Sequence, residues 1–188
     1  MCALAVGSFG VSASTAQAQQ MMGGGSGDGN PTVGGAAMFK SKNIVENALN
    51  SPVHTTLVAA VKAAGLVDTL TGKGPFTVFA PTDSAFGKLP AGTVESLVQP
   101  ENKATLTKIL TYHVVAGRMD AGKIAAAIKK GGGTATFKTV SGDTLTAYLS
   151  GQSVMLRDEK GGTSTVTTAD VFQKNGVIHV IDTVLMPN

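Results

Sequence analysis

Apolar residues recur at helical spacing between about Asn43 and Gly65, and they predict two short helices. The first helix would bury one side, formed by Ile44, Val45, Ala48 and Leu49. The second would do the same with Leu57, Val58, Val61 and Ala64. Ser51-Pro52 or Thr55 can begin this second helix, and Gly65 ends it.

A short buried strand is predicted at residues 76–80, where β-forming residues stand between Gly74-Pro75 and Pro81. The hydroxyl of Thr82 can cap the turn that follows. Asp83 would lie in the first turn of a helix, where the helix dipole favours a carboxylate. A structural role at the start of a helix is therefore enough to explain an aspartate at position 83, and no catalytic role is needed.

The strongest helical pattern begins at Pro100 and carries its apolar stripe onto a histidine. The stripe is formed by Leu106, Ile109 and Leu110. Because the same spacing continues to His113, we expect this side chain to be buried or half-buried and to have a hydrogen-bond partner. Asp120 would cap a further helix, which ends at glycines 131–133.

After these glycines the apolar pattern changes from helical to alternating. Strands are predicted at residues 134–140, 144–149, 154–157 and 163–168, with turn residues between them. The last strand, residues 177–185, is apolar on both faces and should be central, so we interpret His179 as a core residue with satisfied hydrogen bonds. Helices first and antiparallel strands later indicate an α+β fold.

Composition excludes several classes of protein. Hydrophobic residues make up 43% of the chain and charged residues 14%, which is typical of a globular rather than a disordered protein. The net charge of +3 comes almost wholly from lysine. No basic cluster is longer than Lys129-Lys130 and Trp is absent, so nucleic-acid binding has little support. No later stretch is long and apolar enough to predict a transmembrane segment.

Residues 1–18 are predicted to be a signal peptide. An apolar run, Ala3 to Val11, precedes Ala16-Gln17-Ala18, a small-x-small motif that signal peptidase accepts. No Lys or Arg precedes the run, which leaves room for a start upstream of Met1. Cleavage after Ala18 would remove Cys2, the only cysteine, and leave no disulfide. We expect a secreted, periplasmic or cell-surface protein.

Residues 19–38 are predicted to be a flexible, glycine-rich tether. Half of residues 23–36 are glycine, and such a composition gains little by folding. The folded domain would then occupy residues 39–188.

Enzymatic motifs are missing from the sequence. His54, His113 and His179 are the only histidines, and none has the spacing of a zinc-binding helix. Neither a G-x-S-x-G elbow nor a phosphate-binding loop is present. We therefore predict no catalytic residues, metal site or cofactor. A Ser-His-Asp site built from distant residues stays open, because such triads are spatial.

Three stretches, in this order, resemble motifs of the fasciclin domain family: GPFTVFAPTDSAF (residues 74–86), LTYHVVAG (110–117) and NGVIHVIDTVLMP (175–187). The helical run at residues 54–70 fits the same family. The resemblance covers residues 39–188 and implies an α+β fasciclin-like domain, a β-wedge of two sheets flanked by several helices. It also implies adhesion or matrix association through protein or glycan contacts rather than catalysis. An exported single-domain chain without cysteines in its mature part indicates a bacterial protein, and we expect it to be a monomer.

The resemblance also implies recognition residues. In animal members, the pair matching Tyr112 and His113 is linked to receptor recognition, and so is the aspartate matching Asp83. We therefore take Thr82, Asp83, Tyr112 and His113 as candidate binding residues. From the residues alone we favour a structural role, in which Tyr112 and His113 hold a helix end against the turn at Thr82-Asp83.

Two alternative functions remain. One is an extracytoplasmic binding protein for a small lipid or sugar, which would need a cavity. The other is an unrecognised hydrolase.

Overall fold

The computed structural model describes residues 29–187. The predicted signal peptide and residues 19–28 of the predicted tether lie outside this range.

Helices dominate the first part of the described chain, and strands the second part. The helices and strands up to α7 are α1 (Ile44–Asn50), α2 (Thr55–Ala64), α3 (Val67–Thr71), β1 (Phe76–Pro81), α4 (Asp83–Gly87), α5 (Thr93–Leu97), a 3-10 turn (Pro100–Asn102), α6 (Lys103–Tyr112), β2 (Val114–Ala116) and α7 (Ala121–Lys130). The remaining strands are β3 (Thr134–Lys138), β4 (Thr144–Ser150), β5 (Ser153–Arg157), β6 (Thr163–Gln173) and β7 (Gly176–Ile181). The α+β class is confirmed.

The strands form one seven-stranded mixed sheet in the order β2-β1-β7-β6-β5-β4-β3. Only the β1–β7 pair is parallel within the described sheet. The two outer strands approach each other: Val115 of β2 bridges Thr139, and the Val140 N–H donates to the Val114 carbonyl at 2.8 Å. The sheet is therefore nearly closed into a barrel. Register shifts in β6 bend it, so a wedge of two separate sheets is not confirmed.

Two apolar cores lie on the two faces of β1 and β7, because alternate strand residues point to opposite faces. Val78 and Ala80 pack with apolar residues of α1, α2 and α6. Phe79 faces the other way and packs with residues of α7 and strands β3 to β5. The central position predicted for the last strand is confirmed, since every residue of β7 is buried.

His179 of β7 has the satisfied core role predicted for it. Its ring stacks on Phe79 with centroids 5.6 Å apart. Its Nε2 lies 2.8 Å from the Met119 carbonyl, and its Nδ1 accepts a hydrogen bond from the Asp170 N–H at 3.3 Å. Burial lowers the pKa of His179, so the ring is a neutral packing element.

The predicted buried face of α1 is partly wrong. Leu49 is 51% exposed, whereas Asn47 is completely buried. The Asn47 amide donates to the Phe39 carbonyl at 2.7 Å and accepts from the Phe39 N–H at 3.1 Å. It also donates to the side chain of Gln173. These bonds satisfy a buried polar group and turn the helix so that Leu49 faces solvent.

The predicted start of the domain at residue 39 also differs from the structure. Asn30, Val33 and Met38, all within the predicted tether, are buried. The Asn30 amide donates to the Phe172 carbonyl at 2.6 Å, and its oxygen accepts from the Phe172 N–H at 3.1 Å. Residues 30–38 are therefore packed on the domain, because three well-placed side chains outweigh the glycines around them.

Candidate functional site

Asp83 caps a helix other than its own. It begins α4, where Thr82 is the capping residue and accepts a hydrogen bond from the Ala85 N–H at 3.3 Å, as predicted. The Asp83 carboxylate instead accepts from the Thr55 N–H at 3.2 Å, the Thr55 hydroxyl at 2.7 Å and the Thr56 N–H at 2.8 Å. These donors form the first turn of α2, whose own capping position lacks a side-chain bond.

This arrangement keeps the Asp83 carboxylate ionised. Partial burial would raise the pKa of Asp83, but the hydrogen bonds from Thr55 and Thr56 outweigh it and leave the pKa below its usual value. Asp83 and Thr82 are half-exposed, and Ser84 and Thr55 are exposed. The Thr82 and Ser84 hydroxyls are 2.8 Å apart. We call this surface of Thr55, Thr82, Asp83 and Ser84 the Asp83 cluster.

His54 directly precedes Thr55 of the Asp83 cluster and is only 3% exposed. Its Nδ1 is 2.8 Å from the hydroxyl of Ser51, while its Nε2 has no hydrogen-bond partner among the described residues. Burial lowers the pKa of His54, and the Ala80 carbonyl and the Asp83 charge raise it by less. The ring is therefore neutral.

The structure thus brings Ser51, His54 and Asp83 together, but not as a catalytic triad. In such a triad the acid orients the histidine through a hydrogen bond, and the serine is accessible to substrate. Here Ser51 is 3% exposed, and the hydrogen bonds of Asp83 go to Thr55 and Thr56 rather than to His54. This geometry gives no support to a hydrolase.

Tyr112 and His113 are buried, at 0% and 3% exposure. The Tyr112 hydroxyl donates to the Thr144 carbonyl at 2.9 Å. His113 Nδ1 is 2.8 Å from the Ile109 carbonyl, and its Nε2 accepts from the Leu185 N–H at 3.0 Å. The pair therefore joins α6 to β4 and to the C-terminal segment, not to the turn at Thr82-Asp83 as the sequence interpretation had it.

The partners of His113 define its protonation state. Nδ1 must carry the hydrogen that the Ile109 carbonyl accepts, and Nε2 must be unprotonated to accept from Leu185. Burial lowers the pKa of His113 to about 4, against smaller opposing effects of Ile109 and Asp158. Burial likewise raises the pKa of Tyr112 to about 12, so both groups are neutral in ordinary buffers.

Enclosed space is small in the described residues. The apolar cavity between α1, α2 and the sheet, with His113 on its wall, holds about 40 Å³. Three larger clefts, of about 570, 540 and 450 Å³, are open to solvent rather than enclosed. The first two are lined by polar and cationic residues, including Arg118 and Lys174. Within residues 29–187, no three His, Cys, Asp or Glu side chains gather where they could hold a metal ion.

Sequence reasoning found Thr82 and Asp83 but missed Thr55 and Thr56, which bind the carboxylate. The available signal was the absence of a good capping side chain at His54, directly before two threonines. It also missed the clefts around Arg118, whose lining residues come from distant parts of the chain.

Comparison with known proteins identifies relatives of this chain. The family model of the Fasciclin domain matches residues 52–187. Protein sll1483 of Synechocystis is 51% identical over 152 residues, which cover 81% of this chain and 77% of that protein. Immunogenic protein MPB70 of Mycobacterium bovis is 37% identical, and the match covers 84% of this chain and 76% of that protein. Cell surface glycolipoprotein MPB83 of the same species is 35% identical, and the match covers 84% of this chain and 67% of that protein.

A solved structure shares the fold. The FAS1 domain pair of the insect cell adhesion molecule Fasciclin I superposes with a TM-score of 0.56 at 23% identity. The match covers 69% of this chain and 43% of the insect chain, so it spans less than half of that protein. No helix among residues 29–187 has the length and apolar character needed to cross a bilayer.

Proposed function

The chain belongs to the fasciclin domain family, and we propose that it is an exported module for cell adhesion or matrix association. It would act by binding protein or glycan at a cell surface, without catalysis, cofactor or metal. The observation that carries the proposal is the Asp83 cluster, an ionised carboxylate with three exposed or half-exposed hydroxyls on a rigid support of two helix starts. Relatives that include a cell surface glycolipoprotein support it.

Within this proposal, Thr82 and Asp83 contact the partner, whereas Tyr112 and His113 contribute from inside. The buried pair fixes the end of α6 next to β1, since the Phe79 N–H donates to the His113 carbonyl at 2.9 Å. Strand β1 leads directly into the Asp83 cluster. The positions that the family resemblance pointed to would then form one functional unit, with an accessible part and a supporting part.

Surface binding is favoured over the alternative of an enclosed small ligand. Sites for lipids or other small molecules have volumes of about 300–1,000 Å³ and are mostly apolar. The apolar cavity here is about 40 Å³. It would need to expand several-fold to take a lipid, at the expense of the core formed by α1 and α2.

An attachment assay tests the adhesive role of the Asp83 cluster. Beads coated with the full chain should attach to the surface matrix of bacterial cells that express it, and uncoated beads should not. Ser84→Tyr would block the Asp83 cluster with a bulky ring while leaving the hydrogen bonds of Asp83 intact. Ser96→Tyr, at an exposed serine of the short helix α5, is the matched control.

We expect attachment to fall with Ser84→Tyr and to persist with Ser96→Tyr. Equal attachment by both variants would contradict a binding role for the Asp83 cluster. If beads coated with the parent chain attach no better than uncoated beads, the adhesive role itself is wrong.

Export is the other part of the proposal. Cleavage after Ala18 predicts an exported protein that starts at Gln19. Intact-mass measurement checks this prediction, and a mature protein that retains residues 1–18 would contradict it.

A further inference from the structure

A groove of positive charge lies away from the Asp83 cluster. It consists of the two open clefts of about 570 and 540 Å³, which share Arg118 and Lys174 as lining residues. Lys73 lines the first cleft and Lys40 the second, and no acidic residue lines either. We call these four side chains and the clefts between them the cationic groove. Adjoining clefts with a common wall can hold an extended chain rather than a single small molecule.

Two cations of the groove, Lys40 and Arg118, are held in place by contacts with β6. Lys40 and Arg118 both lie against the ring of Phe172, at 5.8 and 5.7 Å from its centroid. Arg118 Nη2 also donates to the Gln173 carbonyl at 3.0 Å, which leaves part of its guanidinium fork for a ligand. Positively charged groups that are positioned before binding lose less entropy when an anion arrives.

Three of the four groove cations, Lys73, Arg118 and Lys174, lie outside the salt bridges formed among residues 29–187. Those ion pairs join Lys88 to Asp182, Lys108 to Asp143, and Lys123 to Asp120. Lys73, Arg118 and Lys174 are exposed and take part in none of them. Glu46 is bound to the Asn43 N–H at 2.8 Å in the capping box of α1, and it does not line the clefts.

We propose that the cationic groove binds an acidic polysaccharide. An arginine fork flanked by lysines matches carboxylate or sulfate groups repeated along a chain. Thr71 is exposed in the first cleft, and its hydroxyl, which donates to the Asp68 carbonyl at 3.1 Å, can still accept a hydrogen bond from a sugar hydroxyl.

Other polyanions fit the groove less well. A membrane surface would be met by exposed large apolar side chains, but those of the described chain are Leu49, Val98 and Val140, and none lines the clefts. Single-stranded nucleic acid would need an open aromatic face for stacking, whereas Phe172 is in contact with Lys40 and Arg118.

This inference deepens the proposed function and rests on it, because it names one class of glycan that the protein would bind. The test measures binding of the full chain to polygalacturonate and to dextran sulfate by calorimetry. Methyl-esterified pectin and dextran are the uncharged counterparts of these probes. We expect binding to one charged polymer or both, with an affinity that falls as salt is raised, and no binding to the uncharged polymers. The two charged probes separate carboxylate from sulfate recognition.

The variant Lys73→Gln/Lys174→Gln should weaken this binding about fivefold or more. The control Lys129→Gln/Lys130→Gln removes the same charge from exposed positions at the end of α7, outside the clefts, and should leave binding nearly unchanged. Arg118→Lys keeps the charge but loses the fork, so it should weaken binding while the melting temperature shows that the fold is retained.

Three results would overturn the proposal: no binding to either charged polymer, equal losses in both double variants, or tighter binding to polyglutamate or to anionic lipid vesicles. If bead attachment through the Asp83 cluster persists in any of these cases, the assignment of the groove fails while the adhesive function stands.

Discussion

His113 should make the stability of the protein sensitive to mild acid. In the folded state burial lowers its pKa to about 4, whereas in the unfolded chain the pKa returns to about 6.5. Between these values the unfolded state binds more protons, so the free energy of unfolding falls as the pH falls. Above about pH 6.5 this titration costs no stability. Relative to that plateau, the free energy of unfolding is lower by about 2 kcal/mol at pH 5 and by about 3 kcal/mol at pH 4.

The substitution His113→Gln isolates this effect. Glutamine carries a donor and an acceptor for Ile109 and Leu185 but does not titrate. At pH 7 we expect the variant to be less stable by about 1–3 kcal/mol, because its hydrogen bonds and packing are imperfect. Between pH 7 and pH 4 it should lose about 3 kcal/mol less than the parent, so the two stabilities converge in acid.

Urea unfolding at a series of pH values, followed by far-ultraviolet circular dichroism because the chain has no Trp, measures both curves. Leu110→Ala is the control, because it removes a buried side chain of the same helix. It should lower the free energy of unfolding by the same amount at every pH, without changing how that free energy depends on pH. If His113→Gln and the parent lost the same free energy between pH 7 and pH 4, the reasoning on His113 would be refuted.

Three further predictions follow from individual contacts. Asp83→Ala should cost about 1–2 kcal/mol, because it leaves the first turn of α2 uncapped, and an unchanged thermal midpoint would contradict this. Deleting residues 1–38 should lower the melting temperature below that of a chain that lacks only residues 1–28, because it also removes the buried side chains of Asn30, Val33 and Met38, and equal melting temperatures would contradict this. Asp158→Ala should speed amide exchange at Met186, whose N–H donates to Asp158 at 3.0 Å, and exchange as slow as in the parent would rule out this link.

Features that depend on local sequence could be predicted, and those that depend on distant partners could not. Thr82 was identified as a cap because its acceptor role involves the N–H only three residues later. The burial of His113 followed from the period of α6. The partners of Asp83, in contrast, lie 27 and 28 residues earlier in the chain, and nothing in the local pattern around Asp83 points to them.

Long-range contacts also explain the remaining errors. Asn47 faces inward because its amide meets Gln173, a residue 126 positions away. Strand β6 continues to Gln173, past the predicted end at residue 168. Its pairing with β7 shifts register between Val166 and Val171, close to Asp170, whose φ is positive at 58°. The cationic groove combines residues from 40 to 174, so it exists only in the folded chain.

The central place of β7 constrains when the protein can fold. Its partner β1 pairs with it in parallel, with Phe76 opposite Gly176, a hundred residues later. Until β7 has left the ribosome, β1 lacks this partner and both cores lack the side chains that β7 contributes. Pairings of such large sequence separation form slowly, because a long loop must close before the contacts stabilise it. Folding of this domain therefore cannot be completed before β7 has been synthesised, whichever helices and hairpins form earlier.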